Sequence, residues 1–411
     1  METNQAPVSE TQRILSLDVL RGFALLGILT MNIGAFSMPS ATYFDPTAYG
    51  ELSGLNGWVW QVTHLLADLK FMAIFSMLFG AGIVLASQRA ESRGHSPTGL
   101  HYRRMGWLVV FGLLHAHLLW WGDILYWYGL CGLVVFLFRK LSPKWLIVWG
   151  VLSIAVASGI LLAGGATAEQ WPPEALEQVT EELKPSAEAK AAEIAIYQGG
   201  WFEQMEKRTP HSFEMETITF LFWAVWRVSG LMLLGMALFK LGVFSAGRSR
   251  RFYLTLIAVA ILVGIPVIGY GIRHNFANNW EAPYFFFHGL QFNYWASILV
   301  SLGWVGAVML ACQKGLSRLT RPFAAVGRTA FSNYILQTVI CTTIFYGHGF
   351  GLFGEVDRVG QAGIVLVIWA FQLAISPIWL RHFHFGPLEW LWRSLVYLRK
   401  QPFRRASTAV A

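Results

Sequence analysis

Residues Arg13–Phe36, RILSLDVLRGFALLGILTMNIGAF, decide the fold. The stretch is mostly apolar, and about 20 such residues in a helix cross the hydrocarbon of a bilayer. It nevertheless carries Asp18 and Arg21 in its first turns and Asn32 deep inside. At helical pitch Asp18, Arg21, Leu25, Ile28 and Asn32 fall near one stripe. An acid and a base three residues apart meet on a helix surface. Polar groups left unsatisfied in hydrocarbon are costly, so this stripe cannot face lipid. The helix is expected at the centre of a bundle, its stripe turned to partners or to a wet cavity. The plainer reading is a snorkelling Arg21 and an Asn32 bonded to a neighbouring helix.

Composition points the same way. Of 411 residues, 55% are hydrophobic and only 13% charged, against about a quarter charged in soluble domains. The chain therefore reads as an all-α polytopic membrane protein. Cys131, Cys312 and Cys341 all lie in apolar segments, with no disulfide framework and no zinc spacing. No removable signal peptide is read at the N-terminus.

Ten spans are expected, near 13–36, 57–86, 105–121, 124–138, 145–165, 217–239, 252–271, 292–312, 329–346 and 360–380. Gly264-Ile265-Pro266 is expected to kink or loosen the seventh. Residues 166–216 hold eleven Glu against four Lys/Arg, a net −7, so the remainder carries +15 for the whole to come to +8. This segment reads as two short helices, solvated or lying on the membrane, broken near Pro185. Basic residues crowd alternate loops: Arg89, Arg93, Arg103 and Arg104; Arg139, Lys140 and Lys144; Lys240 to Arg251; Lys314 to Arg328; and the tail from Arg381. By the positive-inside rule both termini are cytoplasmic and the Glu-rich segment is outside. The chain divides as 1–165 (spans 1–5), 166–216, 217–380 (spans 6–10) and a basic, Trp-containing tail, 381–411. The basic excess serves the inner leaflet, so no nucleic-acid partner is expected. The expected partners are membrane lipids and a small-molecule substrate, with homodimerisation left open.

Ionisable residues inside spans are candidates for function. His64 and Asp68 are four residues apart, on one face, with Lys70 nearby. HAHLLWWGD brings His115 and His117, on nearly opposite faces, toward Asp123. Asn333 and Gln337 again stand four apart. Arg227 falls ten residues into its span, so a polar cavity with an acidic partner or bound anion is expected there, shared with His115 or Asp68. A His beside a carboxylate suits general-base catalysis or a proton relay; the plainer reading is a hydrogen bond that fixes packing. Glu389 and Arg393 are expected to pair on an amphipathic helix on the inner leaflet. Gly349, Gly351 and Gly354 fit G-x-G-x-x-G but follow no strand, so no nicotinamide site is read. No metal or haem is expected.

LDVLRGFALLGIL (17–29), FSMLFGAG (75–82), GLLHAHLLWWGDIL (112–125), GRTAFSNYILQTVICTTIFY (327–346) and FGPLEWLWR (385–393) resemble the YeiB-like bacterial inner-membrane proteins. Five blocks in one order span nearly the whole chain, and the resemblance implies a multi-pass architecture in the inner membrane. LDVLRGFA followed by Asn32, with Leu55-Asn56-Gly57 before span two, is similar to the heparan-α-glucosaminide N-acetyltransferases and related transmembrane acyltransferases. That pattern has a His just before Trp-Asn-Gly; here residues 51–55 contain no His, and Leu55 stands in place of the Trp. This second resemblance covers roughly the first eighty residues. It implies acyl transfer from a cytoplasmic acyl-CoA, the donor substrate, to an extracytoplasmic acceptor. On that reading Asp18 and Arg21 bind the donor, and His115, oriented by Asp123, deprotonates the acceptor. Asn32, His64, Asp68, Arg227, Asn333 and Gln337 then bind substrate or relay protons. The other reading is a transporter of a small or amphipathic solute that uses the same intramembrane residues.

Overall fold

The computed structural model describes residues 14–405. Arg13, the base ahead of the first span, and the N-terminal reading of residues 1–12 lie outside the described residues. The described residues form a succession of helices: α1 (Leu15–Ser37), α2 (Gly54–Leu66), α3 (Lys70–Glu91), α4 (Thr98–Leu118), α5 (Leu125–Val135), α6 (Pro143–Thr167), α7 (Pro173–Leu183), α8 (Ala187–Gln198) and α9 (Met205–Glu214) come first. Then follow α10 (Val225–Lys240), α11 (Arg250–Val259), α12 (Ile265–Ala277), α13 (Ala282–Tyr284), α14 (Leu290–Gln313), α15 (Ser317–Arg328), α16 (Ala330–Phe345), α17 (Arg358–His382) and α18 (Pro387–Val396).

Among the described residues, seven helical stretches are long and apolar enough to cross a membrane: Leu15–Ser37, Gly54–Glu91, Pro143–Gln170, Met205–Lys240, Arg250–Ala277, Ala282–Gln313 and Arg358–His382. The protein is a multi-pass membrane protein. The other three expected spans correspond to α4, α5 and α16. Helix α4 carries Arg103, Arg104 and three His along its length, α5 has eleven residues before a 3-10 turn, Phe136–Lys140, and α16 has sixteen.

Four of the long stretches are irregular. The second breaks between α2 and α3, where Leu69 takes a left-handed backbone (φ 61°), a conformation that costs a non-glycine residue about 1–2 kcal/mol. No Gly or Pro marks that point, so the sequence reads it as one helix. A π-helical turn, Ala260–Gly264, joins α11 to α12 immediately before Pro266. A proline there supplies no N–H and its ring crowds the preceding turn, so the ladder loosens as expected. Further π-helical segments precede α10 (Met215–Ala224) and α14 (Phe285–Gly289).

Small residues set the helix crossings. A Cβ on Gly22 of α1 would lie 1.9 Å from the Phe323 carbonyl oxygen of α15, and one on Gly327 would lie 1.9 Å from that of Asp18. Gly80 of α3 and Gly235 of α10 meet the Met232 and Met77 carbonyls in the same way. Without a hydrophobic force between helices in lipid, such close backbone contact is what holds spans together. Helix α1 thus contacts α3, α14, α15, α16 and α17 and is central, as its polar stripe requires.

The Glu-rich segment breaks as expected, between Leu183 and Ala187, with Ser186 capping α8 through Ala189 N. One side of it is docked on protein, while most of its glutamates stay exposed. Leu183 is buried against Trp280 and Phe285, Lys190 Nζ donates to Ala48 O at 2.9 Å, and Glu193 accepts from Ser40 N at 3.0 Å. Burial raises the Glu193 carboxyl above its usual range, against the pull of those Ser40 bonds and of Lys207. Helix α18 also differs from expectation. Glu389 turns inward and accepts from Phe331 N (2.6 Å) and Ser332 N (3.1 Å), capping the start of α16.

Gly22→Ala and Gly80→Ala should each destabilise the detergent-solubilised protein by about 1–3 kcal/mol through forced helix separation. Gly34→Ala and Gly82→Ala, where an added Cβ meets nothing within 4 Å, should stay within about 0.5 kcal/mol. Thermal unfolding of the four variants checks the contrast.

Candidate functional site

Polar residues gather at both ends of the bundle. At one end Arg21 Nη1 bonds Asp18 Oδ1 at 2.9 Å and points toward the Gly327 carbonyl, so the α1–α15 contact at Gly22 and Gly327 aims it. Arg89 lies within electrostatic reach of Asp18 and Arg93, and Arg104 within reach of Arg21. Helix α18 braces this end: Arg104 lies over the Trp392 ring at 5.1 Å, and Trp392 Nε1 donates to the Arg104 carbonyl. Asp18 is thus the single carboxylate in a chain of neighbouring guanidinium groups, a net positive region suited to phosphate or pyrophosphate. Farther along α1, Asn32 is half-buried and makes no side-chain hydrogen bond among the described residues.

Deeper in the bundle, where Phe71 packs on Phe23 and Gly27 of α1, the α2–α3 break assembles a second cluster. His64 Nδ1 stands 3.1 Å from Asp68 Oδ2. Asn293 of α14 bridges the two charges beside it: its Nδ2 donates to Asp68 at 2.7 Å, and its Oδ1 accepts from Lys70 Nζ at 2.6 Å. Lys70, with 0% exposure, also donates to the His64 carbonyl at 2.6 Å, a group freed because α2 ends there. Trp60 stacks on the imidazole of His64 with centroids 5.3 Å apart. The His64 side chain keeps 18% exposure, and its Nε2 makes no hydrogen bond to a described residue. Tyr43 reaches in from the α1–α2 loop and stays 40% exposed. Enclosure, and then the Asp68 charge, raise its hydroxyl above the usual range while Arg227 pulls it down.

Arg227 sits at this level with 0% exposure. Among the described residues no carboxylate is in contact with it. Its Nη1 donates to Tyr294 O at 2.9 Å and its Nη2 to Ser297 Oγ at 2.8 Å, over the Tyr294 ring at 4.2 Å. Asp68 acts on it only through space. A carbonyl, a hydroxyl and a π face from α14 together replace the expected carboxylate.

His115 and Asp123 form a third group. His115, 2% exposed, has Nδ1 2.8 Å from Asp123 Oδ1 and Nε2 3.0 Å from Thr338 Oγ1. Asp123 Oδ2 accepts from Tyr126 N at 2.7 Å, which fixes the carboxylate at the start of α5. His117, on the other face as its spacing requires, meets Glu216 at 3.2 Å. Both His115 nitrogens are thus occupied, whereas His64 keeps one edge open. Asn333 and Gln337 belong to neither cluster. They zip α16 to α17: Asn333 Nδ2 donates to Ser376 Oγ (3.0 Å), Gln337 Nε2 to Gln372 Oε1 (2.8 Å), and Gln372 Nε2 to Asn333 O (2.9 Å).

Tyr43, Asn293, Ser297 and Thr338 were not singled out from sequence. Asn293, a lone amide in an apolar span, carried a readable signal. A threonine in a membrane helix carries none, because its hydroxyl can return to its own backbone.

Residues 238–399 match the family described as "Protein of unknown function (DUF418)". The chain is 33% identical to "Uncharacterized protein YeiB" of Escherichia coli (strain K12), over 93% of this chain and 96% of that one. It is 31% identical to "Uncharacterized protein YxaH" of Bacillus subtilis (strain 168), over 97% and 98%. A Bacillus acidopullulyticus protein named for its place in the amylase 3' region is 27% identical over 96% and 97%.

Asn293→Leu strands Lys70 and Asp68 together. It should lower unfolding stability by about 2–4 kcal/mol, whereas Gln337→Leu, which removes one neutral bond, should cost about 1–2 kcal/mol. Denaturant titration in mixed micelles checks the ranking.

Proposed function

This chain belongs to the YeiB-like family, and from that premise we propose that it is a transmembrane acyltransferase of the bacterial inner membrane. It moves an acyl group from a cytoplasmic coenzyme A ester to an acceptor on the far side. The carrying observation is the pairing of an arginine-rich end with a cluster deeper in the bundle that holds an imidazole oriented by a carboxylate and open at its other nitrogen. On this reading the chain crosses ten times, with α4, α5 and α16 completing the seven long stretches and both termini in the cytoplasm.

The donor's phosphates lie on Arg21, Arg89 and Arg104, with Asp18 holding Arg21 in position. Asp68 accepts from His64 Nδ1–H and so leaves Nε2 as the base. His64 Nε2 takes the proton of the acceptor hydroxyl or amine as that atom attacks the thioester carbonyl. The C–S bond breaks, the acyl group passes to the acceptor, and the coenzyme A thiolate leaves and takes up the proton. His115 and Asp123 form a second pair of the same design, closed by Thr338. That pair becomes a base only if the Thr338 hydroxyl turns away. Asn32, unpartnered between the two ends, lines the donor's path.

Transport of a small solute is the second reading, favoured by the helix break at Leu69 beside buried charges. Broken spans at mid-membrane sites are the usual architecture of transporters. There His64, Asp68 and Arg227 relay protons or hold the solute.

Acetyl-CoA and palmitoyl-CoA binding to the full chain in detergent, measured by calorimetry, tests the donor site. Arg21→Ala should weaken it roughly tenfold or more, as expected for loss of a charged hydrogen bond. His64→Ala should leave binding intact and cut transfer about 10²–10⁴-fold. No binding of either ester at millimolar concentration would remove the acyltransferase reading, and solute uptake into proteoliposomes would then support the second.

A further inference from the structure

One buried group serves neither end as described so far. Arg208 of α9 is 1% exposed, and its Nε donates to the His117 carbonyl at 2.9 Å. Its Nη1 and Nη2 have no hydrogen-bond partner among the described residues. The guanidinium lies 4.9 Å from the Trp201 ring and interacts electrostatically with Tyr197 and Tyr346. Those two rings are 4.9 Å apart, and their hydroxyls are buried without a geometric hydrogen-bond partner; the Trp121 indole is the polar group near Tyr197. Trp120 of the same apolar cluster buries an unpartnered Nε1–H.

The sign of this cluster is informative. Guanidinium, phenol and indole all donate at neutral pH, and Gln204 Oε1 is the unpartnered acceptor beside them. The carboxylate that acts on both tyrosines, Glu193, is engaged by Ser40 and is not among the groups acting on Arg208. A buried cation without a counter-ion is strongly disfavoured, and a cluster of buried donors without acceptors is rare in native proteins.

We propose that α8, α9 and the turn after α16 enclose a binding pocket for a small oxyanion, a carboxylate or phosphate group, gripped by the Arg208 fork with Tyr197, Tyr346 and Trp120 donating around it. The two free Nη groups match the two oxygens of such an anion in a bidentate pair. The pocket stands independently of acyl transfer. It lies at the end of the bundle opposite the arginine cluster, and Trp120 is 6.4 Å from His115 between ring centroids.

The test is thermal unfolding of the full chain in detergent, titrated with sodium acetate, phosphate or glucuronate at ionic strength held constant with chloride. Saturable stabilisation by acetate or phosphate is expected. A matching response to glucuronate identifies a charged group on a larger molecule as the occupant, and its absence identifies a small free anion. Arg208→Lys should reduce the apparent affinity by roughly tenfold or more, because a point charge replaces the fork. Tyr346→Phe, which keeps the ring packing, should weaken binding without changing the elution volume, so a misfolded Arg208 variant does not decide the matter. Wild-type protein whose unfolding is indifferent to all three anions, or a map with only water-sized density beside Arg208, overturns the proposal.

Discussion

A lysine ammonium enclosed in an apolar bundle must find its acceptors within the protein, and Lys70 sets much of the structure by that requirement. Lipid offers nothing to such a group, and burying it unpaired costs far more than a strained residue. The helix therefore breaks at Leu69, and the carbonyl of His64 turns onto Nζ at 2.6 Å. Asn293 supplies the second acceptor and, with its other end, holds Asp68. Ser301 completes the tie by donating to the Lys70 carbonyl at 2.9 Å. One buried charge thus fastens α2, α3 and α14 together and leaves one edge of His64 uncovered.

The arginine-rich end follows a different rule. Its charges are not enclosed but crowded, with α1 and α15 pressed together at Gly22 and Gly327 so that Arg21 projects beside the arginines of α3 and α4. Repulsion among them is relieved by solvent or by an anion, which is why this end suits a phosphate-bearing ligand. Between the two ends runs α1, whose half-buried Asn32 is the polar step on its stripe.

Much of this was legible in the chain. Hydropathy and the polar stripe put α1 at the centre, Pro266 announced the loosened helix before it, and the spacing of His115 and His117 sent one to Asp123 and the other to Glu216. What stayed hidden depends on contacts far apart in sequence. Nothing in THLLADLKF signals a break, because Leu69 accepts a left-handed backbone only when the tertiary structure supports it. The depth of Arg227 was readable but its partners were not, since a carbonyl and a serine hydroxyl leave no charge signature. Glu389 looked like a surface residue paired with Arg393; its capping of α16 requires knowing that two distant helices meet.

The central claim is that the arginine cluster and the His64–Asp68 cluster open to opposite sides of the membrane. Single cysteines at Ser92 and Glu181, both exposed, introduced after replacing Cys131, Cys312 and Cys341, report each end directly. In right-side-out vesicles a membrane-impermeant maleimide should label Glu181→Cys and spare Ser92→Cys, with the pattern reversed in inverted vesicles. Labelling of both positions from the same side contradicts the account.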